Sequence, residues 1–200
     1  MQTATLSKSA PGFYTWSFFN PEVKTECSSH VFVHDQSLIL IDPFPVGAAM
    51  EAELKKLGSP TAILLTNGNH NRAAQQLKKQ WMVPVGAAAD AVEELGFIPE
   101  MIVDSLVQLH GLKPIPLKGG GSGEFAYFSA KSKTLVVGDA IINPGNSGLA
   151  LLPEKYCTNA PLLRTALDKV LSLDFENLLM AHGEPILGSA RTQIETLLKK

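Results

Sequence analysis

Ile63-Leu64-Leu65-Thr66-Asn67-Gly68-Asn69-His70-Asn71-Arg72 runs from an apolar segment straight into a polar one. The apolar run stops at Thr66, and helical spacing begins at Arg72 and continues to Gln80. A buried strand that ends in polar side chains and turns into a helix is a common frame for a site in layered α/β proteins. The amides at Asn67, Asn69 and Asn71 alternate, so their side chains are expected to share a face. The outline is that of a metal-binding loop, but the groups are mostly neutral amides. His70 lies one step out of phase with that alternation and is expected to point away from the shared face.

Outward from this stretch, strands and helices alternate. Upstream, Gly12 to Phe19 is aromatic and alternating, the pattern of a strand. Ser29 to His34 and Ser37 to Asp42 flank a short polar turn, a hairpin signal. The second of these strands is apolar on both faces, which predicts a central position. Gly47 to Leu57 has helical spacing and is stopped by Gly58. Pro60 to Thr66 is a buried strand, Met82 to Val85 a short strand, and Ala87 to Leu95 a helix ended by Gly96. This order predicts α/β layers.

The second half repeats the plan. Ile102 to Leu109 and Leu112 to Leu117 read as short strands. Lys118 to Gly123 reads as a flexible loop and Glu124 to Ser129 as a strand. A polar turn leads to Thr134-Leu135-Val136-Val137-Gly138-Asp139, so Asp139 is the counterpart of Asp42 in an internal pseudo-repeat. Pro144 to Pro153 reads as loop, Ala160 to Leu171 as an amphipathic helix, and Asn177 to Ala181 as a last strand that ends at His182. Ser189 is placed to cap a final helix to Leu198. No linker or low-complexity tract interrupts residues 1–200, which are read as a single domain.

Apolar residues make up 45% and charged residues 18%, the balance of an ordinary globular chain. The net charge is −2 and no basic stripe is present, which argues against a nucleic-acid partner. Met1 to Pro11 is polar and has no signal-type apolar core. No apolar run approaches the ~20 residues that span a bilayer. The expectation is a soluble cytoplasmic chain without a membrane partner. Cys27 and Cys157 lack any local partner motif and read as reduced structural thiols.

Four apolar strands therefore end in polar residues: at Asp42, at the Asn67 to Arg72 loop, at Asp139 and at His182. Carboxyl ends of strands are where such folds build sites. The predicted pocket holds Asp42, Asn67, Asn69, His70, Asn71, Arg72, Asp139 and His182. Gly119-Gly120-Gly121 is followed by a strand and lacks the Lys-Ser/Thr of a phosphate loop. Ser122 lacks the strand-turn-helix frame of a nucleophile elbow. His30, His34 and His110 are read as structural or exposed.

Taken in order, these motifs resemble the metallo-β-lactamase superfamily over nearly the whole chain. They are Leu40-Ile41-Asp42-Pro43, Leu64-Leu65-Thr66 with its polar loop and helix, and the glycine-rich loop. The hairpin ending Val137-Gly138-Asp139 and the terminal His182-Gly183-Glu184-Pro185 complete the set. The resemblance implies a four-layer αββα sandwich of two related halves, with the site at one edge of the two sheets. It also implies a signature Thr-His-x-His-x-Asp-His that ligates two metal ions. On this chain Thr66 matches. The histidine positions fall on Asn67, Asn69 and Arg72, the aspartate position on Asn71, and a further histidine on or near Gly120. Asp139 and His182 match the bridging aspartate and the final histidine. Five of seven ligand positions are thus changed.

The expectation is a metal-free, degenerate site: a hydrolase-like pseudoenzyme or a binder of a small anion through Arg72 and the amides. Arg72 is expected to pair with Asp139 in place of metal, with Asn67, Asn69 and His182 hydrogen-bonded around them. The alternative is a mononuclear hydrolase holding one Zn, Fe or Mn ion on Asp139, His182 and His70. A third reading is an interaction protein that uses another surface.

Overall fold

The structure is a computed structural model that describes residues 5–200 apart from positions 23, 108, 146 and 147. The start of the polar N-terminus, one position of the Ile102 to Leu109 reading and two of the Pro144 to Pro153 loop therefore lie outside the described residues.

The first half builds a seven-stranded sheet in chain order. Its strands are β1 (Ser7–Ala10), β2 (Phe13–Asn20), β3 (Thr25–His34), β4 (Ser37–Ile41), β5 (Ser59–Leu64), β6 (Val85–Ala87) and β7 (Met101–Ile102). The β3–β4 hairpin turns through Asp35 and Gln36, with φ of 46° and 62°. Positive φ at both central positions is the backbone of a tight hairpin turn whose twist matches its strands. β4 lies between β3 and β5, as its two apolar faces required.

α1 (Ala48–Leu57) buries Met50 and Leu54, one helical turn apart, and ends at Gly58. α2 (Ala74–Trp81) starts two residues later than its sequence spacing suggested, because the backbone at Arg72 leaves helical geometry. A 3₁₀ turn and the short α3 (Val92–Leu95) follow β6, where a single helix from Ala87 was expected. The strand expected from Ile102 is confined to the two residues of β7.

The second half builds a four-stranded sheet from β8 (Lys113–Pro116), β9 (Phe125–Ser129), β10 (Thr134–Val137) and β13 (Asn177–Met180). Two short strands, β11 (Ile141–Ile142) and β12 (Ala150–Leu151), pair beside it, so the expected loop is in part a hairpin. α4 (Ala160–Val170) is capped by the Asn159 side chain, which accepts from Leu162 N–H. Ser189 occupies the position before α5 (Ala190–Leu198), but its side chain makes no capping bond.

The two halves repeat one unit. An antiparallel pair, β3–β4 or β9–β10, is extended by a parallel strand, β5 or β13. Period-two alternation then sorts side chains into layers. Phe125, Tyr127, Val136 and Leu179 face the first sheet. Ala126, Phe128, Leu135, Val137, Leu178 and Met180 face the other way, onto Leu163, Leu167 and Val170 of α4 and Ile194 and Leu197 of α5. The result is helices, sheet, sheet, helices. Each fully buried leucine in these layers contributes on the order of 2 kcal/mol. No helix among the described residues is long and apolar enough to cross a membrane.

Candidate functional site

Because the repeated unit is used twice, β4, β5, β10 and β13 all end on the same edge of the stacked sheets. Asp42 follows β4, Thr66 and the Asn67 loop follow β5, Asp139 follows β10, and His182 follows β13. Asp42 and Arg72 sit at φ of 48° and 41°, a left-handed backbone uncommon for residues other than glycine. Such strain concentrates where a fold fixes functional groups.

Asp42 is fully buried and its carboxylate is held from three sides. Oδ1 accepts from Thr66 N–H at 2.8 Å. Oδ2 accepts from Thr66 Oγ1 at 2.6 Å and from His70 Nδ1 at 2.9 Å. A carboxylate only accepts, so the proton of His70 lies on Nδ1 and Nε2 faces the other way. Nε2 lies 3.3 Å from Asp139 Oδ1. The same Oδ1 lies 3.1 Å from His182 Nε2, and His182 Nδ1 lies 3.4 Å from Cys27 Sγ. A single chain of polar contacts therefore runs Asp42, His70, Asp139, His182, Cys27.

This arrangement corrects two expectations and gives Cys27 a partner that its sequence neighbours do not show. His70 points into the site. Residues Gly68–Asn71 form a 3₁₀ turn, and the turn cancels the strand-like alternation assumed from the amides. Arg72 does not pair with Asp139. Its Nη1 donates to the carbonyls of Ser28 at 2.6 Å and Asp42 at 2.8 Å, and its guanidinium lies 4.0 Å over the Phe44 ring. Cys27 is a buried thiol with a histidine partner. It comes from β3, far away in sequence.

The other predicted positions divide. Asn67 is buried and donates through Nδ2 to Asp139 Oδ2 at 3.1 Å. Asn69 is exposed, and only its backbone N–H takes part, donating to Asn67 Oδ1 at 3.0 Å. Asn71 lies half-buried with Oδ1 unpartnered. Gly120 is buried behind the site and contributes no side chain.

Sequence reading missed Glu124. This carboxylate is 4% exposed. Its Oε2 accepts from Asn67 Nδ2 at 2.9 Å, and its Oε1 accepts from the backbone N–H groups of Asp139 at 2.9 Å and Ala140 at 3.1 Å. The signal was there: an acidic residue opens a strand, Phe125–Ser129, that is otherwise wholly buried.

The electrostatics follow from the crowding. Burial and the Arg72 charge push the His70 imidazole down, but Asp42 and Asp139 outweigh them and hold it at about 9. Burial works against the Asp139 carboxylate, yet His70 and His182 hold it far below the usual range. Burial and the Asp139 charge push Glu124 up to about 7. His30 is buried and held down at about 4, chiefly by burial. It bonds Thr15 Oγ1 and Met180 O, a structural role across the two sheets.

The ligand test is one of spacing. Tetrahedral zinc with bonds of about 2.0–2.1 Å sets neighbouring ligand atoms about 3.3 Å apart. The two histidine–carboxylate separations, 3.3 and 3.1 Å, match. All three ligand atoms lie within 4.8 Å of one another, and among the described residues this is the one such group. Both imidazoles also have their outer nitrogens held, by Asp42 and Cys27, as metal-binding histidines generally do. Among the described residues the donor set offers one such group, which fits one ion. Behind the glycine-rich loop lies a cavity of about 540 Å³, walled by Asp90, Leu117, Gly121, Glu124, Phe125 and Leu162, a size suited to a small molecule.

A family model described as metallo-beta-lactamase superfamily matches residues 5–199. The DIM-1 metallo-beta-lactamase structure aligns at 12% identity with a TM-score of 0.78, covering 98% of this chain and 96% of that one. A metallo-beta-lactamase from Erythrobacter litoralis aligns at 13% identity with a TM-score of 0.78, covering 100% and 97%. One from Hirschia baltica aligns at 14% identity with a TM-score of 0.77, covering 98% and 96%. At such identities the likeness establishes the fold. No curated protein sequence matches the chain.

Proposed function

This chain belongs to the metallo-beta-lactamase superfamily, and from that premise we propose that it carries a single-metal hydrolase centre on His70, Asp139 and His182. The observation that carries the reading is the convergence of two imidazole Nε2 atoms on one carboxylate oxygen at ligand spacing. A divalent ion bound there supplies Lewis acidity toward a carbonyl or phosphoryl oxygen and acidifies water. The chain's own residues prepare that chemistry. Asp42 keeps the His70 proton on Nδ1 and so presents Nε2. Cys27 steadies the outer nitrogen of His182. Arg72 is spent on backbone carbonyls, which leaves its charge off the ligand face.

A second reading has its own support. With both ring nitrogens protonated, His70 bridges Asp42 and Asp139 and offsets half of their charge without metal, its pKa raised to about 9. That describes a degenerate site, a pseudoenzyme or small-anion binder. Elemental analysis of protein purified without chelator or affinity metal decides between the two. About one Zn, Fe or Mn per chain is expected, lost in both His70→Ala and Asp139→Ala. A metal-free wild type whose melting temperature is unmoved by added Zn²⁺ or Mn²⁺ overturns the single-metal reading.

A further inference from the structure

We infer that the Asn67 side-chain amide stands where a second cation would lie, and that Asn67 with Glu124 fixes the centre at one ion. The inference rests on the single-metal reading above and extends it to what limits the number of ions.

Asp139 divides its carboxylate between two environments. Oδ1 meets the two imidazoles, while Oδ2 accepts from Asn67 Nδ2 at 3.1 Å. The same Nδ2 donates to Glu124 Oε2 at 2.9 Å. One NH₂ group thus bridges the buried Glu124 carboxylate and the half-buried Asp139 carboxylate with its two hydrogens, the position a cation would take. Its orientation is not arbitrary. Asn67 Oδ1 accepts from Asn69 N–H at 3.0 Å, and a backbone N–H only donates, so the oxygen faces Asn69 and the nitrogen faces the acids. An amide nitrogen offers donors and no lone pair to a metal, so it holds the carboxylates together while repelling a cation.

The surroundings are built for Glu124. A Cβ at Gly120 would lie 2.9 Å from Glu124 Cγ, one at Gly121 would lie 3.0 Å from Oε2, and one at Gly138 would lie 2.8 Å from Oε1. A side chain at Gly120 or Gly138 would force Glu124 to shift, and one at Gly121 would crowd it. Glu124 fills the volume these glycines leave, and its two backbone donors, Asp139 N–H and Ala140 N–H, hold it there.

One atom decides the outcome. Asn67→Asp keeps the shape and leaves one oxygen on Asn69 N–H. It turns the other onto Glu124 and Asp139. Three carboxylates then converge, a hard oxygen cage suited to Mn²⁺ or Mg²⁺. The test is metal content after equilibration with Mn²⁺ alone and gel filtration, measured on wild type, Asn67→Asp and Asn67→Ala, with melting curves with and without Mn²⁺.

Asn67→Asp is expected to hold about one more ion than wild type and to melt lower without Mn²⁺ than with it. Asn67→Ala, which leaves Asp139 Oδ2 and Glu124 Oε2 without their shared donor, is expected to gain the ion more weakly. It decides the matter if Asn67→Asp fails to fold. No gain in either variant, or two ions in wild type, overturns the inference. Wild type with none and Asn67→Asp with one would overturn the single-metal reading, and with it the limit of one ion, while the amide's place at a cation position would stand.

Discussion

Asp42→Asn is the most informative single change, because it keeps shape and removes only charge and one acceptor. The Asn oxygen can still take Thr66 N–H, which the carboxylate accepts at 2.8 Å. Its NH₂ can still donate to Thr66 Oγ1. What it cannot do is accept from His70 Nδ1, now at 2.9 Å, so two donors are set against each other in a buried site. A charge-assisted bond of this kind is worth about 1.5–3 kcal/mol, and breaking a buried pair costs about 3–5. His70 keeps Asp139 as a partner, so the expected loss in metal-free protein is about 3 kcal/mol. In urea that lowers the midpoint by about 1 M.

The pH dependence has a definite sign. His70 is raised from 6.5 to about 9 in the fold. A raised value gives stability that is complete below the unfolded pKa and lost as pH climbs through the folded one. Asp42 is lowered, chiefly by the His70 charge and hydrogen bond against the opposing effect of burial. Its share is present above about pH 4 and lost as pH falls through its folded value. The gap between wild type and Asp42→Asn should therefore be widest near pH 5–7 and shrink by about pH 9.5. Urea melts across that range in chelator-treated protein measure it, with His70→Gln as background. A gap below about 0.5 kcal/mol at pH 7, a gap independent of pH, or an equal loss in the His70→Gln background refutes the reasoning.

Two further changes probe the frame. Arg72→Lys replaces a planar fork on two carbonyls and an aromatic face with a single ammonium, so about 2 kcal/mol should be lost. A melting temperature about 4–8 °C lower is expected, and an unchanged one counts against the guanidinium's role. Gly138→Ala drives a methyl against Glu124 Oε1 and Thr66, and should cost about 2–3 kcal/mol by chemical denaturation. Wild-type stability in that variant would show that Glu124 is not held as described.

The architecture was legible because it rests on period and punctuation. Leu38 to Ile41 is apolar at every position, and Asp42-Pro43 stops it, which is enough to place a central strand with a polar end. The same holds for Thr134 to Asp139, and the likeness of the two gave the repeat. The site was legible as a set of strand ends but not as a set of contacts. His70 was misplaced because alternation is a rule for extended backbone, and the chain leaves that geometry at Gly68. Its i+4 spacing from Thr66, whose Oγ1 it meets at 2.8 Å, was the usable signal. Arg72 was assigned to the nearest acid by charge alone. The backbone at φ 41° turns its side chain over Phe44 to carbonyls that no pattern reveals. Cys27 and His182 are 155 positions apart, a pairing made by the antiparallel bridge between their backbones.

The amide that bridges Glu124 and Asp139 belongs to an Asn-Gly dipeptide, the sequence most prone to spontaneous ageing. In that reaction the Gly68 nitrogen attacks the Asn67 side-chain carbonyl carbon and ammonia leaves. Hydrolysis of the ring then yields aspartate or its isomer. Here Gly68 N–H is tied to Ser122 O at 2.9 Å, and the amide is gripped by hydrogen bonds on both its oxygen and its nitrogen. The backbone at Asn67 is fully extended, with ψ of 177°. The native site therefore shelters a bond that unfolding would expose, and its loss would add one negative charge beside Glu124 and Asp139.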